Sequence, residues 1–157
     1  MIYATATVPV NPQGALPLTR SQAFAGLVLK ARDARLFLPE GFCTRCEVVE
    51  EGRTHIVREA TIAGTDVREI IAFEPDSKVT FFQAGGPREG AIVNELFEDA
   101  DGALHLRFYG YLGLRGKTPN GPEEAAEQAM LDGDRGYRSA LLSTLDRTRS
   151  LLAEGRL

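Results

Sequence analysis

The chain has 157 residues, of which 25% are charged, and a net charge of -4. This acidic balance, with its basic residues scattered, argues against nucleic acid and anionic membrane surfaces as partners. The length predicts one domain over 1–157, while two cysteines, no apolar leader and no run near the ~20 residues of a membrane span predict a cytoplasmic protein without membrane insertion.

The N-terminal part predicts one strand followed by two short helices. Residues 2–10 alternate apolar and polar side chains, which is typical of a half-buried strand. Thr19 and Gln22 form a capping-box pattern that begins a helix of about three turns. Residues 32–39 predict a second short helix that ends at Pro39.

From Cys43 onward the apolar period becomes two, and turn signals divide residues 43–112 into six strands. A two-residue turn at Ala63-Gly64 would pair Arg58 with Glu69 and Glu59 with Arg68. Opposite charges then face each other across the hairpin, as cross-strand pairing favours. The sequence therefore predicts an antiparallel meander with this register.

One face of these strands is predicted to be interior. In the first strands it carries Ile56, Ile71 and Phe81. In the last hairpin, which has a turn signal at Asp101-Gly102, it carries Val93, Phe97, Leu106 and Phe108.

The tail, residues 122–154, predicts an amphipathic helix that begins at Pro122 and ends before Gly155. Its apolar stripe includes Met130 and Tyr137. Gly133 and Gly136 interrupt the pattern at a cost of about 0.5–1 kcal/mol each. They predict a kink or a break into two helices; alternatively, the missing side chains leave room beneath the helix for a guest molecule.

Polar residues on the predicted interior face are the strongest functional signal, because an unpaired buried polar group is costly. Arg58, Glu69 and Gln83 fall in line across three neighbouring strands, and Glu95 falls on the interior face of the last hairpin. They indicate a cavity whose few polar groups orient a mostly apolar ligand. The alternatives are a satisfied Arg58–Glu69 ion pair near a sheet edge, or an inverted assignment of the faces.

The pair Cys43 and Cys46 has the CxxC spacing of redox and zinc sites. The pair enters a strand, where the two sulfurs are expected on opposite faces, and a second CxxC is missing. Buried thiols are the favoured interpretation, and we expect no metal site.

The order of one strand, two helices, six strands and a long helix resembles the helix-grip fold of the START and birch pollen allergen superfamily. Within it, residues 55–59, 67–69, 104–108 and 137–140 resemble the AtaL-like family of polyketide cyclase-related proteins. The resemblance implies an α+β fold in which a seven-stranded curved antiparallel sheet wraps around the C-terminal helix. It also implies a cavity between sheet and helix.

The leading functional hypothesis is binding of a small hydrophobic or amphipathic molecule in that cavity, with no cofactor, by a monomer or weak homodimer. The candidate lining residues are Ile56, Arg58, Glu69, Ile71, Phe81, Gln83, Val93, Glu95, Phe97, Leu106, Phe108, Met130 and Tyr137. A second hypothesis is a cyclase, dehydratase or lyase that uses cavity carboxylates and tyrosine for acid–base chemistry. A third is an interaction module of the chaperone-cofactor kind, which would expose an apolar patch on the outer sheet.

Overall fold

A computed structural model describes residues 1–133 and 136–157, and its seven antiparallel strands form one sheet. The strands are β1 (Ile2–Pro9), β2 (Cys43–Glu51), β3 (His55–Ile62), β4 (Thr65–Glu74), β5 (Lys78–Gly85), β6 (Arg88–Glu98) and β7 (Leu104–Leu114). Their order in the sheet is β1-β7-β6-β5-β4-β3-β2, so β2 to β7 form the predicted meander and β1 joins β7.

Helices cover one face of the sheet. They are α1 (Arg20–Arg32), a 3₁₀ helix (Ala34–Leu36), α2 (Pro122–Leu131) and α3 (Tyr137–Ala153). The predicted capping box is confirmed, since the Thr19 hydroxyl accepts from the Gln22 N–H and the Gln22 side chain accepts from the Thr19 N–H. We call the helix-covered side of the curved sheet the concave face and the opposite side the convex face.

The hairpin of β3 and β4 has the predicted register, with Arg58 opposite Glu69 and Glu59 opposite Arg68. Its turn residues Ala63 and Gly64 have φ values of 49° and 74°. Positive φ at both positions is the geometry of the tight hairpin turn that matches strand twist. The turn therefore fixes which side chains of β3 and β4 reach the concave face.

The tail consists of two helices, which agrees with one interpretation of the glycine pair, and the single helix predicted over 122–154 is not formed. Pro122 occupies the first turn of α2, Gly136 is the N-cap of α3, and Gly155 follows α3 with a φ of 67°. Two residues of the predicted interruption, Asp134 and Arg135, lie outside the described residues. The break lets α2 and α3 cover different parts of the sheet.

The helices α1 and α3 cross closely where Gly26 meets Thr148. A Cβ atom placed on Gly26 would lie 2.6 Å from Thr148 Cγ2 and closer still to Oγ1. Gly26 and Thr148 are both buried. This close contact, together with Leu27, Leu141 and Leu145 in the core, holds the two helices against the concave face.

Side chains of the tail cover the open edge of β1. The Gln128 amide accepts from the Tyr3 N–H at 2.9 Å and donates to the Tyr3 carbonyl at 2.7 Å. The Arg138 guanidinium donates to the Thr7 carbonyl at 2.8 Å. These bonds satisfy backbone groups that β7, on the other side of β1, does not reach. None of the described helices combines the length and apolarity that crossing a bilayer requires.

Candidate ligand site on the concave face

The line of polar residues predicted across β3, β4 and β5 is present on the concave face. Arg58 and Glu69 are 4% and 6% exposed and form an ion pair in which Arg58 Nε donates to Glu69 Oε2 at 3.0 Å. Gln83 Nε2 donates to Glu69 Oε1 at 3.0 Å. The satisfied ion pair is thus the arrangement formed, one strand in from the sheet edge.

The remaining donors of Arg58 hold α1 on the sheet. Arg58 Nη1 donates to the carbonyl oxygens of Ala31 at 2.9 Å and Lys30 at 3.2 Å, both in the last turn of α1. The guanidinium also lies 5.6 Å from the centre of the Phe81 ring. Helix C-terminal carbonyls lack helical partners and favour a cation, so Arg58 links helix and sheet.

The predicted interior face of β6 is wrong. In the observed register Val93 pairs with Tyr109, Glu95 with Arg107 and Phe97 with His105, so Val93, Glu95 and Phe97 lie on the convex face. The Glu95 carboxylate accepts from Arg107 Nη2 at 2.6 Å, and the Arg107 guanidinium lies 4.9 Å from the Phe97 ring centre. These three side chains cannot line a cavity beneath the helices.

The length of the β6–β7 connection explains the error. A two-residue turn at Asp101-Gly102 would pair Phe97 with Leu106, but the connection spans residues 99–103. The Asp99 N–H donates to the Ala103 carbonyl at 3.0 Å, and Asp99 Oδ1 accepts from the Ala103 N–H at 2.9 Å. A change of one residue in register moves every side chain of a strand to the opposite face.

In the observed register, the residues of β6 on the concave face are Ile92, Asn94 and Leu96. Leu96 is 2% exposed and belongs to the core, whereas Ile92 and Asn94 are half-buried. Among the described residues, no side-chain hydrogen bond engages the Asn94 amide, which leaves a donor and an acceptor for another molecule. Sequence reasoning missed Ile92 and Asn94 as site residues. The signal that could have found them was the Asp and Gly pattern of residues 99–102, which fits a loop longer than two residues.

The other predicted lining residues divide between core, site and surface. Ile56, Ile71, Leu106 and Phe108 are at most 3% exposed and form solid core rather than cavity wall. Met130 is 54% exposed and does not belong to the described core, which corrects its predicted place in the apolar stripe. Phe81, Gln83 and Tyr137 are half-buried on the concave side and keep surface that a guest could contact.

A cavity of about 440 Å³ opens between β1 and the junction of α2 with α3. Its described wall combines apolar, aromatic and charged side chains with the two glycines of the tail. The lining residues are Tyr3, Ala4, Thr5, Ala6, Leu131, Asp132, Gly133, Gly136, Tyr137 and Arg138. The glycines that interrupt the tail therefore border free space, as one interpretation of the sequence predicted.

Tyr137 connects this cavity to the concave face. Its ring stacks on Phe108 with 3.7 Å between ring centres and 19° between planes. Burial raises the pKa of Tyr137, although nearby Arg88 opposes the shift. Arg88 is itself paired with Glu127 of α2. The phenol is thus an uncharged hydrogen-bonding group in a wall that combines apolar and charged side chains.

The two cysteines are buried free thiols, 7% and 5% exposed, and both pack into the same small core cluster. The expectation of opposite faces is wrong because β2 has a register shift between Cys43 and Arg45. A bulge inserts one extra residue and so restores both sulfurs to the inner side. Burial raises the pKa of Cys43, which disfavours the reactive thiolate.

Lys30 is a half-buried cation that the sequence did not single out. It lies in the last turn of α1, and its Nζ donates to Thr144 Oγ1 of α3 at 2.7 Å. Burial, and then the neighbouring charge of Arg58, lowers the pKa of Lys30 from 10.5 to about 8. The folded chain therefore binds this proton less tightly than the unfolded chain does.

Lys30→Met is expected to raise the free energy of unfolding at pH 7 by about 1–3 kcal/mol relative to wild type. Below pH 8 the folded and the unfolded wild type both carry the Lys30 proton, so the destabilisation caused by burying this charge is constant. Between about pH 8 and 10.5 the unfolded state binds more protons, so wild-type stability rises with pH and the advantage of the variant shrinks. Urea unfolding at pH 7 and pH 10 measures both effects. Lys117→Met, at a position that is 52% exposed, is the control and should show neither effect.

Comparisons with known proteins identify both the fold and the family. The crystal structure of Zhui aromatase/cyclase from Streptomyces sp. R1128 has a TM-score of 0.65 and 18% identity, over 99% of this chain and 98% of that one. TTHA0849 from Thermus thermophilus has a TM-score of 0.63 and 12% identity, over 95% and 97%. Ara h 8.0201 has a TM-score of 0.57 and 16% identity, over 94% and 99%. At these identities the likeness shows the fold alone, and it confirms the predicted helix-grip fold.

Sequence comparison gives the family. No curated protein matches the chain in sequence. The family model described as AtaL, acetylaranotin biosynthesis cluster protein L, matches residues 4–155, which is nearly the whole chain and includes every strand but the first residues of β1. This chain belongs to the AtaL family.

Proposed function

We propose that the chain binds a small apolar or amphipathic molecule between the concave face of the sheet and the tail helices. The observation that carries the proposal is the cavity of about 440 Å³ beside Tyr137, because its size falls in the range of small-molecule sites. Half-buried Phe81 and Ile92 add apolar surface on the same side of the sheet.

The polar groups of the site favour a guest without net charge. Arg58 is neutralised by Glu69, and Arg88 by Glu127. The two charged residues of the cavity lining, Asp132 and Arg138, have opposite signs. Tyr137 stays protonated and Asn94 is neutral, so both offer hydrogen bonds rather than charge. Hydroxyl and carbonyl groups on an apolar frame suit such a wall.

Ala6→Trp is expected to weaken binding of the neutral fluorescent dye Nile red at least about tenfold, which is about 1.4 kcal/mol. Ala6 lines the cavity beside Tyr137, so the larger ring would occupy space that the guest uses. Titration of the dye against the purified chain measures the dissociation constant. The matched control is Thr7→Trp, which adds the same ring to the next residue of β1, outside the described cavity lining.

The control should bind the dye within about twofold of wild type. Equal losses in the two variants, or no loss in Ala6→Trp with its folded stability intact, would contradict the concave site. The convex face also exposes aromatic rings, so the titration includes Phe82→Glu, at a position that is 46% exposed. Retained affinity in that variant assigns the dye to the concave face.

A cyclase, dehydratase or lyase is the second candidate, and Tyr137 is the observation that favours it. The phenol lies in the cavity wall beside the paired Arg88 and Glu127, where it could donate a proton or hydrogen bond to a carbonyl. The aromatase/cyclase of similar fold adds support by analogy. The carboxylates expected to act with it do not support this function, because Glu95 lies on the convex face and Glu69 is bound by Arg58 and Gln83.

A further inference from the structure

The convex face carries an apolar row that crosses the sheet at right angles to the strands. Successive register partners are Tyr111 of β7, Ala91 of β6, Phe82 of β5 and Ile70 of β4. Tyr111, Phe82 and Ile70 are 55%, 46% and 41% exposed. Tyr3 extends the row onto β1, with its ring 4.9 Å from that of Tyr111. Contiguous exposed apolar surface of this kind marks an interaction site.

A second row lies further along the same four strands and consists of charges. Its members, again in register, are Arg107 of β7, Glu95 of β6, Lys78 of β5 and Glu74 of β4. The signs alternate, positive, negative, positive, negative, and none of the four side chains is fully buried. Reversing the order of this row gives the opposite sign at every position.

We infer that the convex face docks a second copy of this chain about a twofold axis that runs parallel to the strands, between β5 and β6. Rotation about such an axis keeps each row at its level and reverses its order across the strands. Glu95 then faces Lys78 of the second copy, and Arg107 faces Glu74 of that copy. Each close contact is repeated by symmetry, as a self-complementary interface requires.

The side-chain sizes fit the same operation. In the apolar row, Ala91 faces Phe82 of the second copy, so a small residue lies opposite a large one. The row between the apolar and charged rows contains Tyr109, Val93, Thr80 and Ala72. Reversal places Tyr109 opposite Ala72 of the second copy. Packed sheets cross at about 30°. The residues of β5 and β6 are nearest the axis, so they stay most closely opposite their partners in the second copy.

The area of the patch determines how strongly the two copies are expected to associate. Four strands at about 4.8 Å and three same-face rows at about 7 Å give roughly 400 Å² on each copy. This is about half the area of a standard stable interface. The dimer is therefore weak and reversible, and it forms at high protein concentration. Apart from Tyr3, which also borders the cavity, the patch lies on the face opposite the ligand site, and the inference does not depend on the proposed function.

Sedimentation velocity of the purified chain from about 10 µM to 1 mM tests the inference. Wild type is expected to show a reversible rise in sedimentation coefficient toward the dimer value. Phe82→Glu should lower the association constant at least about tenfold, because it places a charge in the apolar row. Phe42→Glu, at a phenylalanine that is 45% exposed but outside the patch, should associate like wild type.

The charged row allows a sharper test with two single variants. Lys78→Glu opposes two carboxylates across the axis, and Glu95→Lys opposes two ammonium groups, so each variant alone should associate at least about threefold more weakly. In an equimolar mixture every opposed pair has opposite signs, and association should return to about the wild-type level. An effect within one chain cannot produce this recovery. Three results would overturn the inference: a mixture that stays monomeric, a Phe82→Glu variant that still dimerises, or a wild type that stays monomeric up to 1 mM. A wild type that stays monomeric would assign the apolar row to a different partner.

Discussion

Arg58→Leu is expected to lower the free energy of unfolding by about 3–5 kcal/mol, the typical cost of removing one partner of a buried ion pair. Among the described residues, the substitution leaves the Glu69 carboxylate, 6% exposed, with the Gln83 amide as its remaining side-chain partner. It also removes the donor to the Lys30 and Ala31 carbonyls at the end of α1. Urea denaturation followed by circular dichroism measures the loss.

The hairpin of β3 and β4 supplies a matched control for this prediction. Arg68 pairs with Glu59 in the same hairpin, but on the convex face, where the Arg68 side chain is 46% exposed. Arg68→Leu should cost no more than about 1 kcal/mol, because exposed ion pairs contribute little. The double variant Arg58→Met with Glu69→Met should lose less than Arg58→Leu alone, since no buried charge is then unpaired. Equal losses for Arg58→Leu and Arg68→Leu would show that burial of the pair is not what matters.

Gly26→Ala is expected to destabilise the fold by about 1–3 kcal/mol, the usual cost of overpacking, although alanine is the better helix former. The new Cβ would lie 2.6 Å from Thr148 Cγ2, so α1 or α3 must shift. Thermal and urea unfolding measure the loss. Adding Thr148→Ala removes the two closest atoms, and the double variant should recover most of the stability. A Gly26→Ala chain as stable as wild type would show that the two helices do not touch here.

The sequence was informative where local chemistry has one solution. Ala63-Gly64 permits a tight turn, and the charges of Arg58, Glu59, Arg68 and Glu69 match in only one register, so this hairpin was predicted residue by residue. The capping pair Thr19 and Gln22 placed the start of α1 in the same way. Each of these patterns is decided by contacts between residues that are close along the chain.

Prediction failed where two faces of one strand looked alike. In β6, Ile92 and Leu96 alternate with Val93 and Phe97, and each set encloses one polar residue, Asn94 or Glu95. Hydrophobic periodicity cannot rank two such faces, so the loop length decided the outcome. The same error affected the candidate site, because the residues assigned to it depend on which face of β6 meets the helices.

Other parts of the site depend on packing that no local pattern encodes. Met130 and Tyr137 both fit an apolar helical stripe, yet Met130 is exposed in α2 while Tyr137 begins α3 and stacks on Phe108. No sequence pattern singled out Lys30, which lies in the last turn of α1. Its proximity to Thr144 and Arg58 follows from how α1 meets α3 and β3.

The amide of Gln128 and the guanidinium of Arg138 have a consequence for how this protein behaves when crowded. By occupying the backbone groups of Tyr3 and Thr7, they deny an incoming chain the ladder it would need to lengthen the sheet sideways. These contacts therefore disfavour fibril growth from the edge strand β1. Copies can meet through the convex face and stop at two, whereas an unprotected edge strand would let addition continue without limit.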